Sequence, residues 1–143
     1  MRHSGFVNGV LLLVLSGAAA AQSGCGTLKY NVPSSSVAPG ADAKVTAEVK
    51  KKQHQTMLEV TATNLIPPSR VQPDGVQYVA WYRHDPSGAW SRIGTLDYDE
   101  DARKAILAGS VPETAFDLQI SVEPGIPPTS PSPKILFSQR VED

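Results

Sequence analysis

The chain has few of the residue types that do chemistry. It contains one cysteine and three histidines in 143 residues. A single cysteine excludes an internal disulfide and a cysteine-built metal cage. There is no G-x-S-x-G elbow to carry a serine nucleophile. Uncharged residues run from Phe6 to Gly24, but the dense apolar part, Val10 to Leu15, is far short of the ~20 apolar residues needed to cross a bilayer. Helical apolar periodicity is missing throughout. Basic residues are not in excess either, since the formal charge is −1, which argues against nucleic acid as a partner.

What is present begins with an export signal. Met1-Arg2-His3 is a short basic start, followed by the apolar stretch and then small residues, the order of a secretory signal peptide over residues 1–24. Two processing points compete. Ala19-Ala20-Ala21 offers an A-x-A site that would release a soluble protein beginning at Gln22. Ser23-Gly24-Cys25 ends like a lipobox, the bacterial signal for diacylation of the cysteine, although Gln22 stands where an aliphatic residue is usual. Cysteine usage favours the lipid, because a lone free thiol is unusual in an exported chain. The expectation is therefore an extracytoplasmic protein on the periplasmic side of the envelope, anchored through Cys25, or secreted if cleaved after Ala21.

After residue 24 the chain holds twelve basic and fourteen acidic residues. Residues 25–42, CGTLKYNVPSSSVAPGAD, are rich in Pro, Ser and Gly and read as a flexible tether. The domain is then expected over 43–143. Val45, Ala47 and Val49 alternate with Lys44, Thr46, Glu48 and Lys50. Leu58, Val60 and Ala62 alternate with Glu59, Thr61 and Thr63, and the KKQHQ between them suits a hairpin. Lys50-Lys51-Lys52 makes a solvated basic tip. IPPSRVQPDG ends the ladder and forces an irregular crossing. In VQYVAWYR, Val79 and Trp81 are expected to face the core and Tyr78 and Tyr82 the other side. Asp85-Pro86-Ser87-Gly88 is a turn, AWSRIGTLD a returning strand, DYDED a polar turn and ARKAILAG a short strand. AFDLQISVE alternates again, PGIPPTSPSP is a stiff loop and KILFSQR a final strand. About seven short strands with turn chemistry between them predict an all-β, immunoglobulin-like antiparallel sandwich.

The stretch YVAWYRHDPSGAWSRIGTL, followed by AFDLQISVEP and a Pro-rich loop, resembles the extracytoplasmic domain of the anti-sigma-K factor family. The matching positions are Tyr78, Trp81, Gly94, Leu96, Phe116, Glu123 and Pro124, within roughly residues 44–140. The resemblance implies the fold and the compartment. It does not carry over transcriptional regulation, because a signal peptide and tether stand where the family has a sigma-binding segment and a transmembrane helix.

Candidate sites are sparse. Asp97, Asp99 and Asp101 have the spacing of a calcium loop, but Ala102 and Ala108 occupy the positions that need Gly and Glu. His54 and Met57 are copper-type ligands without a cysteine inside the domain to complete a blue-copper set. His84 beside Asp85 is half a dyad with no nucleophile. No catalytic residue, no cofactor fingerprint and no metal site is therefore assigned. Glu123, ending a strand just before Pro124, is singled out to order the loop that follows or to bind a partner. The sequence thus points to a non-enzymatic envelope module that binds or senses an envelope protein or ligand. A structural part of an envelope complex is the alternative, and a small secreted hydrolase a remoter one.

Overall fold

The computed structural model describes residues 26–126 and 129–143, so the expected signal peptide over residues 1–24 and Cys25 lie outside the described residues. Among the described residues, nine strands form two antiparallel sheets. They are β1 (Gly26–Pro33), β2 (Asp42–Lys50), β3 (Gln55–Thr63), β4 (Gln77–Arg83), β5 (Ser91–Thr95), β6 (Asp97–Asp99), β7 (Lys104–Val111), β8 (Phe116–Glu123) and β9 (Ile135–Val141). One sheet has the order β1-β2-β3-β7-β6 and the other β5-β4-β8-β9. Pairing of β3 with β7 in one sheet, and of β4 with β8 in the other, is the Greek-key arrangement of an immunoglobulin-like sandwich. That architecture agrees with the expectation.

Two strands were not expected. Residues 25–42 were read as a tether, yet β1 pairs along its whole length with β2, from Gly26 opposite Val49 to Pro33 opposite Asp42. Leu28, Tyr30 and Val32 turn inward while Thr27, Lys29 and Asn31 stay exposed, an alternation masked by the Pro/Ser/Gly run behind it. That run is also tied down. Ser35 donates its N–H to Leu136 O at 2.8 Å and its hydroxyl to Ile135 O at 2.6 Å, and Ala38 and Ala41 are buried. The described part of the domain therefore starts at residue 26, not 43. The DYDED segment was read as a turn throughout. Its first three residues form β6 against β7, and the reversal comes after them, where Arg103 takes a left-handed φ of 52°. Pro68–Val71 adds a single helical turn, α1, inside the crossing between β3 and β4.

The core lies between the sheets. Val45, Ala47, Leu58 and Val60 come from one side, and Tyr78, Ala80, Ile120 and Val122 from the other. Tyr82, half-buried, packs edge-on to Phe116 with ring centroids 6.3 Å apart. The expected orientation of β4 is thus reversed. Tyr78, Ala80 and Tyr82 face the intersheet core, while Val79 and Trp81 share the outer face, opposite Ser121 and Gln119 of β8. Trp81 is nonetheless buried there, its indole N–H donating to Ser121 Oγ at 2.9 Å. Both faces of β4 are dry, so the apolar pattern alone could not choose between them.

Tyr78 reaches across the fold. Its hydroxyl donates to Ile66 O in the β3–β4 crossing, and its ring meets Tyr98 edge-on at 5.4 Å. Gly75 makes the end of that crossing possible. A Cβ there would lie 2.5 Å from Val122 Cγ1 and 2.7 Å from Pro68 O, closer than packed atoms approach.

Two predictions follow from this core. Trp81→Ala should destabilise the domain by ~3–5 kcal/mol by removing a fully buried aromatic, read from denaturant unfolding. The second concerns alkaline pH. Burial, with a smaller contribution from Tyr98, holds the Tyr78 phenol well above the ordinary tyrosine range. Above about pH 10 the unfolded chain releases this proton while the folded chain keeps it, so stability falls as pH rises. Tyr78→Phe should flatten that alkaline decline in unfolding midpoints measured between about pH 9 and 12; an unchanged slope would assign the decline elsewhere.

Candidate functional site

Glu123 sits at the end of β8 with no solvent exposure. β8 alternates inward and outward, which puts Ser121 and Glu123 on the outer face with Trp81. Pro124 then stops the ladder, and the chain returns along the strand. Oε1 of Glu123 accepts from Ser121 Oγ at 2.6 Å and from the Ser132 N–H at 2.6 Å. Ser132 Oγ donates to Val122 O, and the Val122 N–H donates to Lys134 O. The indole of Trp81, the hydroxyl of Ser121 and the carboxylate form one directed chain of donors. Glu123 thus ties the Pro-rich loop to the sheet. Its second oxygen, Oε2, is buried and meets no donor among the described residues. The two loop residues outside that set, 127 and 128, are prolines, which have no hydrogen-bond donor of their own.

The other residues singled out from sequence are dispersed or committed. Cys25 lies outside the described residues. Met57 is half-exposed on the outer face of β3, opposite Ser110 and Glu48, away from the role of a copper ligand beside His54. Asp99 Oδ1 caps the turn by accepting from the Ala102 N–H at 3.1 Å. His84 does not use Asp85. Asp85 Oδ1 accepts from both the N–H and the hydroxyl of Ser87, bonds that hold its carboxyl below the usual range. His84 Nδ1 instead lies 3.0 Å from Glu113 Oε2. Glu113, in the loop between β7 and β8, is a residue that sequence reading passed over, because nothing local marks it.

A second feature was also invisible in the sequence. The outer face of the β1-β2-β3-β7 sheet holds a groove of about 680 Å³ lined by Asn31, Asp42, Lys44, Thr61, Thr63 and Lys104. Cross-strand register builds it: Asn31, Lys44 and Thr61 form one row, and Asp42, Thr63 and Lys104 the next. Neither Lys44 nor Lys104 pairs with a carboxylate among the described residues. The groove lies by the C-terminal end of β1. Gly26, the residue after Cys25, lies at the other end, roughly 20–25 Å away for an eight-residue strand.

Among known proteins, the chain matches no family model, no curated protein and no solved structure.

Glu123→Ala should destabilise the domain by roughly 1–3 kcal/mol, because it leaves the buried Ser121 hydroxyl and the Ser132 N–H unpaired. Hydrogen exchange would show the Ser132 amide losing protection ahead of the β4–β8 ladder. Loss of global stability with that amide still protected would contradict the loop-tying role.

Proposed function

We propose that the chain is a non-enzymatic binding or sensing module of the bacterial cell envelope, held at the membrane by a lipid on Cys25. The observation that carries this reading is the groove that holds Lys44 and Lys104, neither paired with a carboxylate among the described residues, on a sheet face at the end of β1 remote from residue 25. Export is supported by the basic, apolar and small-residue order of residues 1–24, and anchoring by the lone cysteine that follows it. The resemblance to an anti-sigma-factor extracytoplasmic domain supports the compartment without implying a sigma factor as partner. With β1 beginning at Gly26, an anchored domain would stand directly on the membrane, its groove turned outward.

Two acyl chains give stable attachment where one is marginal. Cys25→Ser in a bacterial host should therefore move the protein out of the membrane fraction or block its maturation. Intact-mass measurement gives the direct check: a soluble product starting at Gln22 with an unmodified thiol would overturn the anchor. Binding is read separately. An envelope component co-purifying with the parent in mild detergent should be lost from Lys44→Glu/Lys104→Glu; retention by that variant would remove the groove from the reading and favour an assembly role for another surface.

A further inference from the structure

His54, Glu113 and His84 lie in three different connections, yet they meet at one end of the sandwich. His54 is in the β2–β3 turn, His84 follows β4, and Glu113 precedes β8. Both histidines address the same atom: His84 Nδ1 is 3.0 Å and His54 Nε2 3.9 Å from Glu113 Oε2. The chain has only three histidines, and the third is His3 in the signal segment. Both histidines of the described residues therefore stand beside this carboxylate.

Each of the three backbones is independently secured. The buried Thr56 hydroxyl donates to Glu113 O at 2.7 Å. Arg140 Nη1 donates to His84 O at 2.9 Å. His54 closes its turn by donating its N–H to Lys51 O, with a left-handed φ of 53° and ψ of 47°, a conformation that costs a side-chain-bearing residue something that glycine would avoid. Lys51 pairs with Asp143, and Arg140 with Asp117 and Glu142, rather than with Glu113. The imidazoles are free to approach a ligand: His54 is 73% and His84 68% exposed, whereas Glu113 is only 23% exposed.

We propose that His54, His84 and Glu113 form a surface site for a borderline divalent transition-metal ion of the Zn²⁺ or Cu²⁺ type. Two imidazoles and one carboxylate are the donor set that such ions accept, with water completing the coordination. Ligand atoms around a tetrahedral ion at ~2.0–2.2 Å stand about 3.3–3.6 Å apart, so the 3.0 Å contact between His84 and Glu113 has to open by only a few tenths of an ångström. The described residues hold no ready-made cage of three ligands. The ion draws in His54 by rotation of its exposed side chain and replaces the two contacts to Oε2. Binding then staples the β2–β3, β4–β5 and β7–β8 connections together, at the end of the domain where Gly26 pairs with Val49.

The test is calorimetric titration of Zn²⁺ into the purified protein carrying Cys25→Ser, which removes the competing thiol. One ion per chain is expected. His54→Gly, which suits the left-handed backbone, His84→Ala and Glu113→Gln should each weaken binding at least about tenfold. Unfolding midpoints without metal identify any variant that has lost its fold. Substoichiometric Cu²⁺ should broaden the ring proton signals of His54 and His84 together, a readout that needs no variant. No binding to the parent, equal affinity in the folded variants, or broadening of one histidine alone would overturn the site.

Discussion

The packing of the two sheets depends on how the chain passes from one to the other, and Tyr78 holds that passage. Its ring is buried between the sheets, and its hydroxyl is spent on the carbonyl of Ile66, in the crossing that leaves β3. Tyr98 packs on the ring and donates to Leu65 O at 3.2 Å, and Arg103 Nε also donates to that carbonyl. Backbone groups of an irregular segment brought against a core need partners, and here side chains from β4, β6 and the β6–β7 turn supply them. Gly75 lets the same segment come back onto Val122. The single buried Leu96 then carries the chain from β5 to β6, its N–H donating to Tyr78 O at 2.9 Å. Two of the three changes of sheet are thus registered against one tyrosine.

With the sandwich so fixed, its two ends differ in character. Near the start of β1 the connections bring together imidazole, carboxylate and paired ions. Near its other end, the pleat of four strands sets lysine, threonine and asparagine side chains in adjacent rows on an open face. Neither collection arises from neighbours in sequence. Residues 31, 44, 61 and 104 belong to four strands, and residues 54, 84 and 113 to three connections. Antiparallel register is what turns these separations into proximity.

The outer face of β8 shows a different use of burial. A carboxylate, a serine and a tryptophan are removed from solvent where most sandwiches leave a wet surface. Glu123 is kept there by donors from its own strand and from the returning loop. The alternation of AFDLQISVE correctly put Phe116, Leu118, Ile120 and Val122 inward. Ser121 and Glu123 take the opposite face, where the Pro-rich loop binds Glu123 through the Ser132 N–H. Proline-rich loops are stiff, and this one has a hydrogen-bonded seat on the strand it leaves.

The strand class was legible in the sequence because period-2 alternation reflects a local property, the opposite direction of successive side chains. The segments of β2, β3 and β8 could be read almost to the residue, and so could the turns marked by Asp85 to Gly88 and by the prolines. The sequence by itself also singled out Cys25 as the lone thiol and Glu123 as a carboxylate at a strand end. Only the tertiary structure decided which face of β4 is the core, because both faces carry large apolar residues and the choice rests on which sheet packs against them. It decided that residues 26–33 are an edge strand, since the pairing that orders them is supplied by β2 and not by their own composition. It alone brought Glu113 to the two histidines, for proximity across three connections is set by register and sheet order, which no local pattern encodes.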